Sequence, residues 1–275
     1  MATQTIFFEK RLLVLLFRLY CALDFASKAV CDLELDAAGI LAACNKCGKA
    51  GLPVKEVTCI KNSMTSGAAQ IEELINRELV VRFRHEKDRR ALAIITTDKG
   101  RERLEMLDRI LSIATIWLGS NISEASFQQL VDKMHAFDVA LKERHCKTFI
   151  PPSMILFLSE SRKCLIDTSA RYGMTSLQAI ILLMLNSNGT ANSFNDIVQK
   201  LSVPPETIQF QIEVLATHGF LLDEGDLFIT ETGKTRQNML LRQYSSLQQE
   251  LLSSYPAQSF KPLRELIDTL LYLFT

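Results

Sequence analysis

LVVRFRHEKDRRALAIIT, running from Leu79 to Thr96, is the stretch whose reading decides the fold. Val81 with Phe83, and Leu92 with Ile94, recur at the two-residue period of a strand. Between these pairs sits HEKDRR, His85 to Arg90, too charged for a core. The stretch therefore predicts two short strands joined at a charged tip. It runs on into Thr97-Asp98-Lys99-Gly100, and the same Thr-x-x-Gly ending recurs at Thr230 to Gly233. The run before the second ending, EGDLFI from Glu224 to Ile229, has no Arg or Lys.

The recurrence is part of an internal repeat. Residues 35–80 align without a gap on 176–221 at a constant shift of 141 positions. Apolar positions coincide: Ile40 with Ile181, Leu41 with Leu182, Val57 with Val198, Ile60 with Leu201, Ile71 with Ile212, Leu74 with Leu215 and Leu79 with Phe220. At Gly100 and Gly233 the shift is 133, so the second copy is shorter by 141 − 133 = 8 residues. The loss falls in the strand–turn–strand stretch. We call residues 1–147 copy one and 148–275 copy two.

Each copy predicts the same order of elements. A long amphipathic helix opens it, over 5–31 in copy one and 153–172 in copy two, after the Pro151-Pro152 break. A short apolar helix follows (37–47; 177–186), then a turn and two helices in close succession. These are 54–60 and 65–76 in copy one, with Asn62 and Ser63 as turn and N-cap. In copy two they are 193–201 and 204–218, because Pro204-Pro205 can open a helix but not sit inside one. After the two strands come long helices, 98–118 and 124–145, then 231–253 and 260–273. Helices followed by a two-stranded wing make a winged helix-turn-helix. The fold class expected is mainly α with small β-wings: two winged lobes and a shared layer of long N- and C-terminal helices.

Composition narrows the function. Thirty-one Lys and Arg balance thirty-one Asp and Glu, so affinity for a polyanion must come from local distribution. The apolar run Leu12–Phe17, between Arg11 and Arg18, is too short to span a bilayer. No membrane partner and a cytoplasmic location are expected. Seven irregularly spaced cysteines suit buried small hydrophobes better than a disulfide framework. Cys44-Asn45-Lys46-Cys47 is a lone C-x-x-C, whereas a structural zinc site needs four ligands. Lys46 beside Cys47 would favour a thiolate, and a helix C-terminus would oppose one. No catalytic constellation and no phosphate-cradling Gly loop occurs, so no enzyme activity, cofactor or metal is expected.

Copy one resembles the MarR family of transcriptional regulators. The resemblance rests on IKNSMTSGAAQIEELINRELVVRFRHEKDRRALAIITTDKGRERLEML and ISEASFQQLVDKM, and covers essentially residues 5–146. The family pattern has a Ser/Thr-rich recognition helix, L-x-x-x-G-L-V-x-R, an Asp-Arg-Arg wing and L-T-x-x-G. Here Glu78 stands for the usual Gly and Thr96 for the usual Leu. Copy two is similar only in outline, through MTSLQAIILLML, VLATHGFLL and ITETGKTR. The family is usually homodimeric, and this chain is about twice the usual length. The resemblance implies a fused pseudo-dimer, monomeric in itself; a homodimer of two-copy chains is the alternative.

The resemblance implies double-stranded DNA as partner. Lys61, Ser63, Thr65, Ser66 and Gln70 would serve phosphate and base-edge contact from the recognition helix. Arg82, Arg84, Arg89 and Arg90 would neutralise phosphates from the wing, with Asp88 bracing an arginine that enters the minor groove. The plainer reading is a solvated hairpin tip, and Ser or Thr suits any helix start. Between residues 193 and 245 copy two has four Lys/Arg against seven Asp/Glu; residues 55–110 have twelve against ten. Copy two is therefore expected to be a degenerate lobe that does not read DNA. The family also implies a small aromatic effector, with Phe7, Arg11, Phe17, Tyr20 and Trp117 as candidates, though an aromatic stripe at helical spacing reads first as core. The reading from another class is a protein-interaction module or antirepressor on the same fold.

Overall fold

The structure, a computed structural model, describes residues 10–54, 64–85, 88–118, 122–141, 151–188, 190–201, 203–253 and 255–274. Among these, the side chains of 64–66, 85, 88–91, 117–118, 152, 156 and 247–253 are not described. The elements are α1 (Lys10–Cys31), α2 (Leu35–Cys47), β1 (Leu52–Pro53), α3 (Met64–Asn76), β2 (Val80–His85), β3 (Asp88–Thr96), α4 (Asp98–Leu118) and α5 (Glu124–Ala140). Copy two continues with α6 (Pro152–Arg171), α7 (Ser176–Met184), α8 (Phe194–Leu201), α9 (Pro205–Thr217), β4 (Leu221–Asp223), β5 (Leu227–Ile229), α10 (Glu231–Ser253) and α11 (Phe260–Phe274). The described residues are thus mainly helical with two small antiparallel sheets, as the sequence predicts. The helix expected over 54–60 and its N-cap Ser63 lie outside the described residues.

Two compact units emerge. One comprises Met1–Cys21, Ser161–Pro256 and Phe274–Thr275; the other comprises Ala22–Glu160 and Ala257–Leu273. Helices α1 and α6 each contribute residues to both.

The short helices α2 and α7 are apolar nearly all round because they are central. Ala37–Ala42 in α2 and Gln178–Leu183 in α7 are all buried. Thr175 caps α7 through a capping box with Gln178, which satisfies two orphan backbone donors. At the other end of α7, the Gln237 amide donates to the Leu182 and Leu185 carbonyl oxygens at 2.6 and 3.1 Å. That satisfies acceptors a helix end leaves free.

The wing sheet of copy one has three strands, ordered β1-β3-β2 and antiparallel throughout. The sequence predicts two; β1, only Leu52-Pro53, is too short to carry a periodic signal and holds a Pro, tolerated here on an edge. Copy two repeats the feature in reduced form, as a single bridge between Asn192 and Leu227. The alternation read from sequence is also corrected. Val81 and Leu92 are about half exposed, at 44% and 49%, while Val80, Ala93 and Ile94 are fully buried. In the ladder Val81 and Phe83 share a face with Ile95 and Ala93, whereas Leu92 and Ile94 share one with Arg84 and Arg82, so the period of each strand alone does not say which face is buried.

Candidate nucleic-acid interface

The wing of copy one is held by a turn at each end of its strands. Helix α3 ends in a Schellman turn: Leu79 N–H donates to Leu74 O at 2.9 Å and Glu78 N–H to Ile75 O at 2.8 Å. Glu78 takes φ = 62°, a left-handed conformation that favours glycine. The returning strand ends at Thr97, whose N–H donates to Leu79 O at 3.1 Å and whose hydroxyl donates to Glu78 O at 2.8 Å. Gly100 N–H in turn donates to Thr97 Oγ1 at 3.0 Å. A Cβ on Gly100 would drive into the Leu79 carbonyl oxygen. The Thr-x-x-Gly ending is therefore a latch that closes the base of the hairpin onto the helix end.

Copy two builds the same latch. Phe220 N–H donates to Leu215 O at 3.0 Å and Gly219 N–H to Ala216 O at 2.8 Å. Gly219, with φ = 70°, stands where copy one has Glu78. Thr230 donates from N–H to Phe220 O at 3.1 Å and from its hydroxyl to Gly219 O at 2.6 Å, and Gly233 N–H donates to Thr230 Oγ1 at 3.0 Å. A Cβ on Gly233 would meet the Phe220 carbonyl oxygen. Between the latches the copies part. Copy one has 17 residues from Val80 to Thr96 and copy two has 9 from Leu221 to Ile229, so 17 − 9 = 8, the whole deficit inferred from sequence. The short hairpin turns at Gly225, φ = 94°, between three acids, Asp223, Glu224 and Asp226, all exposed.

The site residues of copy one divide as follows. Arg82 and Arg84 lie on one face of β2, both exposed and paired in register with Ile94 and Leu92. Arg82 is not a free cation: its guanidinium donates to the Glu72 carboxylate on α3, tying the wing root to that helix. Asp88, Arg89 and Arg90 belong to β3, and Asp88 pairs in register with His85 at the end of the ladder. Their side chains are outside the described residues, so bracing by Asp88 stays an expectation. Thr65 and Ser66 lie in the first turn of α3, their side chains likewise undescribed, and Gln70 is half-buried one turn on. Lys61 and Ser63 fall outside the described residues. On the outer face of α3, Ala68 and Ala69 are exposed while Ile71 and Leu74 are fully buried.

The effector candidates resolve toward core. Phe17 and Tyr20 are buried, and the Arg162 guanidinium lies 4.6 Å from the Tyr20 ring centroid. Arg11 is exposed; Phe7 and the Trp117 side chain lie outside the described residues. The C-x-x-C does not pair with a free lysine: Lys46 is buried in an ion pair with Asp138, at 2.8 Å. Burial also pushes the Cys44 thiol well above its usual range.

The Lys46 contact was invisible in the sequence. Asp138 on α5 is fully buried and accepts from Lys46 Nζ at 2.9 and 2.8 Å and from Ser153 Oγ at 2.7 Å. The partners are 92 and 15 positions from Asp138, a separation to which no periodicity points.

Among the described residues, no helix is long and apolar enough to cross a membrane. No protein-family model and no curated protein matches the chain. Solved structures with some likeness include a MarR-family transcriptional regulator from Rhodococcus sp. RHA1, 21% identical, at a TM-score of 0.37. Another is CouR from Rhodococcus jostii RHA1 bound to p-coumaroyl-CoA, 22% identical, at a TM-score of 0.35. Each likeness covers 43% of this chain and 82% of the other.

Proposed function

We propose that the chain is a MarR-type transcriptional regulator in which copy one reads duplex DNA and copy two does not. The observation that carries this reading is one latch holding two different wings. In copy one it presents a 17-residue hairpin bearing four arginines, Arg82, Arg84, Arg89 and Arg90, beside a helix whose outward face is small. Cations at a wing tip neutralise phosphates, and a helix with Ala68 and Ala69 outward can approach a groove closely. Thr65, Ser66 and Gln70 would make the contacts from that helix, and Lys61 and Ser63 those from the turn before it. In copy two the latch presents Asp223, Glu224 and Asp226, which phosphates repel.

The two copies would occupy the places of two subunits. In support, the first part of α1 belongs to the unit that holds the copy-two lobe, and the first part of α6 belongs to the unit that holds the copy-one lobe. A homodimer of such chains would bring two basic wings to a palindromic site, and solution mass separates the cases. A small aromatic effector stays part of this reading on the family resemblance alone.

A salt-dependent mobility shift on DNA selected from genomic fragments tests it. Arg89→Ala with Arg90→Ala should weaken binding on all sequences and lower the salt slope by about 2. Arg82→Ala should lower it less, because Glu72 already offsets that charge. Absence of DNA affinity in the wild-type chain would refute the reading.

A further inference from the structure

The outward face of α9 is a docking site of its own. The counterpart of α3 carries Glu206, Gln209, Phe210 and Glu213 one helical turn apart, on the face opposite buried Ile208, Ile212 and Leu215. At the shift of 141 these positions correspond to Thr65, Ala68, Ala69 and Glu72 in copy one. The face we assign to DNA in one copy has thus become aromatic and more acidic in the other. Phe210 is 60% exposed, and with Phe194 at the start of α8 and Pro205 it walls an open groove of about 400 Å³. Glu206 and Glu213 rim that groove, and Gln209 Nε2 donates to Glu213 Oε1 at 3.2 Å.

The geometry points to a cationic segment of a partner protein as the occupant, seating one large apolar side chain between Phe194, Pro205 and Phe210. Charge complementarity selects it. Both titratable groups lining the groove are carboxylates, and the lobe around it is acidic. Of the cations in residues 193–245, Lys234 is paired with Glu231, and Arg236 lies over the rings of Tyr172 and Phe220. Lysine or arginine on the partner would meet Glu206 and Glu213, and could also lie over the Phe210 face. DNA is the wrong occupant, since two carboxylates and a projecting ring stand where phosphates would come. An exposed aromatic in a groove is the kind of side chain that dominates an interface. The inference goes beyond the DNA reading and stands whether or not copy one binds DNA.

The test uses the full chain as target for a displayed library of random short peptides, with enrichment read by sequencing. The enriched set should carry net positive charge and a large apolar residue. A representative enriched peptide, labelled and titrated by fluorescence anisotropy, should bind Phe210→Ala at least about tenfold more weakly. Glu206→Lys with Glu213→Lys should also weaken it, more so at low salt. Phe210 is largely exposed, so the variants should melt as wild type does, which separates lost docking from lost folding. An enriched set without positive charge, or no enrichment at all, would overturn the inference. So would unchanged affinity in the variants, or a Phe210→Ala chain whose solution mass falls from dimer to monomer, since the groove would then belong to a second copy.

Discussion

The two latches and the two wings follow opposite rules. At the latch, copies with few sequence identities repeat each other bond for bond: a left-handed residue, a threonine hydroxyl on its carbonyl, and a glycine pressed on the next carbonyl. Even the ion pair over the first turn recurs, Arg101 with Asp98 and Lys234 with Glu231. A few tenths of an ångström separate the paired distances, while the hairpins differ by eight residues and by the sign of their charge. Buried backbone donors and acceptors must be satisfied wherever the fold is kept. A hairpin tip in solvent carries no such obligation and is free to follow function.

Three sets of substitutions break or sharpen that comparison. The largest effect is expected where the copies have no equivalence at all. Asp138 corresponds to Leu271, Lys46 to Ser187 and Ser153 to Leu12, so the buried ion pair has no counterpart at the matching positions of the other copy. Asp138→Ala leaves a buried ammonium alone and should cost about 3–5 kcal/mol in urea unfolding. Lys46→Met with Asp138→Leu should recover most of it, and a loss below about 1 kcal/mol for the single change would contradict the burial. Next, Gly100→Ala and Gly233→Ala should each cost about 1–3 kcal/mol, since a methyl group must displace a backbone carbonyl. A Gly233 variant as stable as wild type beside a damaged Gly100 variant would break the equivalence of the latches. The smallest effect is an exchange of the left-handed residue. Gly219→Glu should lower the melting temperature by about 2 °C and Glu78→Gly should shift it the other way. The exposed Glu78–Lys99 pair, at 2.8 Å, is too solvated to reverse that sign.

Much of this was legible in the sequence because it is periodic or local. Helices α3, α4 and α8 to α11 start and stop within a few residues of their expected bounds, at Thr-x-x-Gly and Pro-Pro. Helix α5 starts as expected at Ser123, whose hydroxyl accepts from Ser126 N–H at 3.2 Å, but ends at Ala140, and 142–145 of its expected span lie outside the described residues. What escaped had no local signal. Strand β1 is two residues long, and its partner Ile94 is 42 positions from Leu52. The Lys46–Asp138–Ser153 cluster joins three helices through side chains that look like ordinary surface residues in one dimension. Arg82 read as a free phosphate contact because Glu72, ten positions earlier, gave no hint of facing it. The groove on α9 was half visible: its acids were counted, but Phe210 is conspicuous only once the helix turns it outward.

The central claim is that the wing decides which copy reads DNA, and exchanging the wings tests it most directly. Replacing residues 80–96 by 221–229 keeps both latches, because Leu79 and Thr97 remain to close the turn. With DNA affinity measured against salt, the account predicts that this chain melts as a folded protein yet loses specific binding and most of its salt slope. Charge reversal at Asp223, Glu224 and Asp226 in the parent chain should leave specific binding intact. Full DNA binding by the wing-exchanged chain, or its loss on changing only the acids of copy two, would contradict the account.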